Sequence, residues 1–223
     1  MNLENTAKHR IYRTLRREVI LGALRAGDRF DVEALAQRFE TSVTPVRDAL
    51  QMLSQEGLVT IRPRSGYFVR QVTLGELRDM LELRRILELA AIERAVLRIS
   101  EAQIAELRRV HAGYSGDDDL AYERYTDENR RFHVLLAEGS GNAELAVTLG
   151  RLLDRLARFM VMRQAGRFME DSHTQILNAL AARDIVAARQ AMESEIDSSH
   201  DAILDRVMRE QAASWPVGAV KSE

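Results

Sequence analysis

The stretch Thr41–Leu58, TSVTPVRDALQMLSQEGL, constrains this chain most, because its polar and apolar residues sort onto two faces of one helix. Val46, Ala49, Leu50 and Leu53 recur at helical spacing and form an apolar stripe that has to be buried. Thr44, Arg47 and Gln51 fall together on the opposite side, where their donors face whatever lies outside the protein. Ser42 is the expected N-cap. Pro45 is tolerated in the first turn, whose backbone donors have no intrahelical partner. Gly57 stops the helix, and VTIRPRSGYFV follows as strand, basic turn and strand. A two-faced helix leading into a hairpin predicts a winged helix-turn-helix.

Upstream, Ile11, Leu15 and Val19 mark the inner face of a first helix. Lys8, Arg10, Arg13, Arg16 and Arg17 crowd its other sides, so that it either lies against phosphates or carries a solvated charged face. Gly22 and Gly27 punctuate a turn, Asp31 caps a short second helix reaching Leu35 and Phe39, and Glu40-Thr41 makes the tight turn into the organising helix. The net charge of −2 is unevenly shared: residues 1–70 hold 12 Lys/Arg against 8 Asp/Glu, or +4, and the remainder holds 20 against 26, or −6. The basic part coincides with the helix-turn-helix, a weak pointer to nucleic acid by itself.

The run from ILGALRAGDRFDVEALAQRF through TSVTPVRDALQMLSQEGLV to IRPRSGYFV resembles the DNA-binding domain of the GntR family of bacterial transcription regulators, over about residues 8–72. The resemblance implies a recognition helix whose N-terminal part enters the major groove of double-stranded DNA and a wing tip near the minor groove or backbone. Carried over by position, Ser42, Thr44 and Arg47 are contact residues, with Arg64, Ser65 and Gly66 at the wing. Gln51 on the outward face and Arg13 on the first helix complete the candidate DNA-binding set. Two departures stand out: Val43 replaces a commonly basic residue, and Glu40 replaces a glycine where positive φ is often required. Arg47 either pairs bidentately with guanine or holds a phosphate, unless it is spent locally on Asp48 or Gln51.

Residues 73–212 read as helix throughout, so the expected fold is mainly α: an N-terminal winged helix-turn-helix (three helices plus a β-hairpin wing, residues 1–72), then an all-α helical-bundle effector domain (73–212) and a C-terminal tail (213–223). The join at Gln71-Val72-Thr73 has no flexible Gly/Ser linker. Helices are expected over 73–99, from the cap Ser100 onward, and over about 119–138, 142–163, 167–182 and 184–212, with a loop at 113–119 and a frayed tail carrying Trp215 and Pro216. The absence of cysteine excludes disulfides, thiolate metal sites and cysteine nucleophiles. No apolar run approaches the roughly 20 residues that span a bilayer, and MNLENTAKHR lacks a signal-peptide core, so a cytoplasmic protein with no membrane contact is expected.

Asn129 and His133, four apart, project from one helix face. His173 lies ten residues before the Arg183-Asp184 turn and Glu195 eleven after Asp184, which puts them at nearly one level of an antiparallel pair. His200 is shifted about 7.5 Å along the axis and roughly 140° around it. Imidazole nitrogens and a carboxylate suit a divalent ion such as Zn, Ni or Mn, and equally suit polar residues satisfied within a core. The stretches LELRRILELAAIERA, NRRFHVLLAEGSGN and SHTQILNALAARDIVAARQAMESEI resemble the FCD effector domain of one GntR subfamily, a helical bundle that commonly binds a metal with a small carboxylate beside it. The resemblance places the metal on Asn129, His133, His173 and Glu195, where the family more usually has Asp at the first and His at the last. It places Arg84, and Glu88 beside it, at the effector pocket; Arg84 could instead form a helix-surface ion pair with Glu88. A homodimeric, carboxylate-responsive regulator, more commonly a repressor, follows from the resemblance. Two alternatives are a helical half that only dimerises without metal, and a metal-dependent enzyme. HExxH, phosphate-loop and nucleophile-elbow patterns are all absent, which speaks against the enzyme.

Overall fold

The computed structural model describes residues 6–110, 119–160 and 166–211. The chain divides into two compact units, Met1–Val72 and Thr73–Glu223. The expected loop at 113–118 and the tail at 213–223, Trp215 included, lie outside the described residues.

In the first unit the elements run α1 (Ala7–Ile20), β1 (Arg29–Phe30), α2 (Val32–Arg38), α3 (Val43–Gln55), β2 (Val59–Arg62) and β3 (Gly66–Val69). The two predicted apolar stripes meet: Ile11, Leu15 and Val19 of α1 close over Val46, Ala49, Leu50 and Leu53 of α3, with Phe30, Leu58, Val59 and Val69 sealing the edges. Each fully buried leucine contributes about 1.5–3 kcal/mol, which outweighs the weak propensity of so short a helix as α2. Asp31 caps α2 by accepting from Ala34 N at 2.9 Å, as expected. Ser42 occupies the N-cap position of α3, yet its side chain makes no capping hydrogen bond, a correction to its expected role that leaves the hydroxyl facing outward. Glu56 then ends α3, Gly57 follows at φ 74°, and the chain turns into the wing.

The wing is a three-stranded antiparallel sheet in the order β1-β3-β2, where the sequence predicted a two-stranded hairpin. Arg29 and Phe30 pair with Phe68 and Tyr67, and Val59 to Arg62 pair with Val69 to Gly66. The extra strand occupies the edge of β3 that a hairpin would leave open.

In the second unit the helices are α4 (Leu74–Arg98), α5 (Glu101–Val110), α6 (Asp119–Gly139), α7 (Ala143–Leu156), α8 (Gly166–Ala181) and α9 (Ile185–Gln211). A capping box at Thr73-Glu76 starts α4, and Ser100 caps α5 with reciprocal bonds to Gln103 at 3.0 and 3.2 Å. The helix expected over 142–163 ends earlier, at Leu156, and tightens into a 3-10 turn over Ala157–Phe159. Helix α4 is the axis of the bundle and packs on α6, α7 and α9. Its pairs with α9, Arg85 with Asp197 and Arg189 with Glu93, set those two helices antiparallel. Among the described residues no helix is long and apolar enough to cross a membrane.

Candidate functional site

The outward face of α3 carries Ser42, Thr44, Arg47 and Gln51, all exposed. Arg47 makes no hydrogen bond or ion pair among the described residues, so the local pairing with Asp48 or Gln51 does not form. Arg13 is exposed on α1, whereas Arg16 is drawn inward to Glu56 at 3.2 Å, beside Tyr12, whose hydroxyl donates to the same carboxylate. Arg38 likewise ties α2 to Glu18 of α1 at 3.1 Å. The charges crowding α1 therefore divide into those that lock the fold and those left facing out.

At the wing tip Ser65 N donates to Arg62 O at 3.0 Å, with Pro63 and Arg64 between them and Arg64 at φ 61°. Proline followed by a residue of positive φ is a type II turn, whose third position favours glycine. An arginine there carries strain of about 1–2 kcal/mol. Glu40, in the turn between α2 and α3, takes φ 51°, the left-handed conformation its position anticipated. The two strained residues differ in purpose. Arg64 is an exposed cation at the tip, while Glu40 only links two helices. Glycine removes the left-handed penalty but adds about 0.5–1 kcal/mol of backbone entropy to the unfolded chain, so each substitution is expected to stabilise by up to about 1 kcal/mol. Urea titrations of Arg64→Gly and Glu40→Gly check this. Of the two, only Arg64→Gly is expected to weaken DNA binding.

Within the second unit, four helices each bring polar groups to one buried centre. Arg84 and Glu88 come from α4, Asn129 and His133 from α6, His173 from α8, and Glu195 and Ser199 from α9, all at most 3% exposed. Helical spacing explains the local placement, since each same-helix pair is separated by four residues and shares a face. Arg84 is the hub. Its Nε donates to Glu88 Oε1 at 2.6 Å, Nη1 to Ser199 Oγ at 2.7 Å, and Nη2 to the Glu195 carboxylate at 3.2 and 3.3 Å. The ion pair with Glu88 forms, but it lies in the interior, which corrects the helix-surface alternative.

Burial alone would weaken the guanidinium charge, and the two carboxylates outweigh it and raise the Arg84 pKa. Burial alone would likewise push the Glu88 carboxyl up; His133 and Arg84 outweigh it and hold the pKa at about 2. His133 Nδ1 lies against Glu88 Oε2 without the alignment of a hydrogen bond, and its Nε2 is 3.8 Å from Glu195 Oε1. Phe132 stacks on the His173 ring at 3.8 Å between centroids and 9° between planes, which fixes the ring's orientation.

His133, His173 and Glu195 each offer a ligand atom, all within 4.8 Å of one another. A tetrahedral ion with bonds near 2.1 Å needs ligands about 3.4 Å apart, so modest side-chain closure completes the set. Asn129 Oδ1 and both ring nitrogens of His133 are buried without a hydrogen bond, a costly condition that a cation would relieve. The donor set therefore fits a divalent ion. His200 is half-buried and outside this group. Sequence reasoning missed Ser199 and the bond from Arg84 to Glu195. The spacing of Ser199, four residues beyond Glu195 on α9, was the available signal.

A winged helix with an exposed polar recognition face, joined to an α-helical unit closed around a buried polar centre, has the build of a two-part DNA-binding regulator. The chain belongs to the GntR family of bacterial regulatory proteins: that family's sequence model matches residues 7–69, and the FCD domain matches residues 79–198. The HTH-type transcriptional repressor RspR of Escherichia coli K12 is 26% identical over 222 residues, covering 96% of each chain. A helix-turn-helix transcriptional regulator from an unstable DNA locus of Streptomyces ambofaciens is 30% identical over 202 residues, covering 89% of this chain and 85% of its own. The solved structure of E. coli McbR/YncC shares the fold with a TM-score of 0.72 at 22% identity, covering 90% of this chain and 98% of that one. The chain is thus a transcription regulator and not an enzyme.

Proposed function

We propose that the chain represses transcription by binding a palindromic operator as a homodimer, and that it releases DNA when a small carboxylate enters the buried centre of its second unit beside a divalent metal. The observation that carries the sensing half is the set of buried, incompletely bonded donors, Asn129 Oδ1 and the His133 ring nitrogens, next to His173 and Glu195. Asn129, His133, His173 and Glu195 would hold the ion. When bound, a divalent metal supplies two positive charges and an acceptor for anionic oxygen. Arg84 contributes +1 and Glu88 and Glu195 contribute −2, so the loaded centre carries a net +1 and favours an organic anion. Such an anion can take over Ser199 and part of the Arg84 fork, the best-matched donor for a carboxylate. The repressor names of relatives such as RspR and GlaR, both of E. coli K12, support the direction of regulation.

A second reading, a metal-free helical unit that only dimerises, is favoured by one observation: Arg84 is already bonded by Glu88, Ser199 and Glu195. Metal analysis of protein purified without a metal-affinity tag separates the two. About one divalent ion per chain and a fall in melting temperature on chelation are expected. Protein that stays metal-free after soaking with Zn, Ni and Mn, with an unchanged melting temperature, favours the second reading.

A further inference from the structure

Helix α4 is apolar on both sides, which the packing of the second unit does not require. Its inner face, including Leu77, Leu81, Ala91, Ile92 and Ala95, fills the core. Its outer side carries Leu83, Ile86 and Leu97, exposed by 41%, 57% and 69%, with half-buried Leu87 and Ala90 between them. By contrast, the outward positions of α5 include Glu101, Arg108 and Arg109, the usual composition of a solvated face. Leu83, Ala90 and Leu97 are spaced by sevens, so they form one stripe about 21 Å long. The ion pairs of Arg85 with Asp197 and Arg189 with Glu93 place Ile185 and Val186 of α9, exposed by 41% and 66%, at the level of Leu97, where they widen that end.

We propose that this stripe is a self-association surface on which a second copy packs its own α4 antiparallel, with Ala90 at the two-fold axis. The arrangement of residues argues for a second copy as the occupant. Reversing the helix about Ala90 brings Leu83 opposite the second copy's Leu97 and Ile86 opposite its Arg94, so the stripe is complementary to itself, as an isologous interface must be. The smallest apolar side chain falls at the crossing, where two helix axes 8–10 Å apart come closest. Arg94 lays its methylene stem along Ile86 and keeps its charge in water at the rim. A stable interface takes about 800 Å² per partner, and the crossed helices together with Ile185 and Val186 at both ends supply an apolar strip suited to the centre of one. The surface rests on the homodimer reading above and gives it a location.

Because the chain has no cysteine, an Ala90→Cys variant has a single thiol per subunit. On mild oxidation of the full chain we expect a disulfide-linked dimer, since the two Cα atoms at the axis fall near the roughly 5.5–6 Å a disulfide spans. Arg108→Cys, on the outer face of α5, is expected to stay unlinked at the same concentration. By sedimentation, the double variant Leu83→Glu, Leu97→Glu is expected to weaken dimerisation at least about 100-fold while keeping its helix content, because charge is forced into the interface centre. A wild-type dimer that neither cross-links through Ala90→Cys nor responds to the glutamates overturns this surface and leaves the homodimer reading standing. A wild-type monomer overturns both. In a monomer, protection of the Ala90→Cys thiol from alkylation would assign the stripe to another part of the same chain.

Discussion

Replacing Arg47 with alanine is expected to weaken binding to a specific operator about 5- to 150-fold, the equivalent of the 1–3 kcal/mol that a bidentate arginine contributes at guanine. The structure makes the expectation sharper than the residue type alone. Arg47 stands on the exposed face of α3 beside Thr44 and opposite the stripe of Val46, Ala49, Leu50 and Leu53 that anchors the helix, so its removal leaves the core untouched. No intramolecular partner among the described residues competes for it. Quantitative binding to an operator selected from random duplexes, compared with a scrambled duplex, gives the answer. Loss confined to the operator assigns base reading. An equal loss on both duplexes assigns Arg47 to a phosphate, and an unchanged affinity removes it from the interface.

The other large effect is expected from Arg84→Met. The methionine approximates the volume but leaves Glu88 and Glu195 buried with no guanidinium between them. Removing one partner of a buried ionic network costs about 3–5 kcal/mol, because the remaining charges stay desolvated. A urea titration should show that loss. Adding Glu88→Gln and Glu195→Gln to the same chain should recover much of it, because the orphaned charges disappear with the cation. A loss below about 1 kcal/mol would show that other groups neutralise the carboxylates and that Arg84 is not the structural hub. Operator binding serves as the control, since Arg84 lies in the second unit and the DNA-facing residues in the first.

Much of this was readable from residue spacing. The stripes of α1 and α3 are unambiguous because a helix buries every third or fourth residue, and Glu40 announced its left-handed backbone through its place in a tight turn. Strand β1 escaped because two residues, Arg29 and Phe30, cannot display alternation; they become a strand only by pairing with β3, nearly forty positions later. Ser42 was given a capping bond from residue type, but type does not determine side-chain direction. The end of α7 was misplaced because the sequence has no glycine or proline near Leu156 to mark it. In the buried centre, Asn129 and His133 were legible as a same-helix pair. The depth of Arg84 was not: an arginine four residues before a glutamate reads as a surface pair, and only the docking of α9 brings Glu195 and Ser199 to it.

The members of the buried centre are spread from Arg84 to Ser199, whereas the winged helix closes with β3 at Val69. During synthesis the DNA-reading unit is therefore complete while the sensor lacks its last helix. At typical elongation rates of 5–20 residues per second, this interval lasts on the order of ten seconds. A nascent chain in that interval has a finished recognition surface and no means of responding to an effector. Regulation in this protein thus depends on its age as well as on its ligand, and a truncation anywhere before Ser199 would produce a DNA binder that no effector can dismiss.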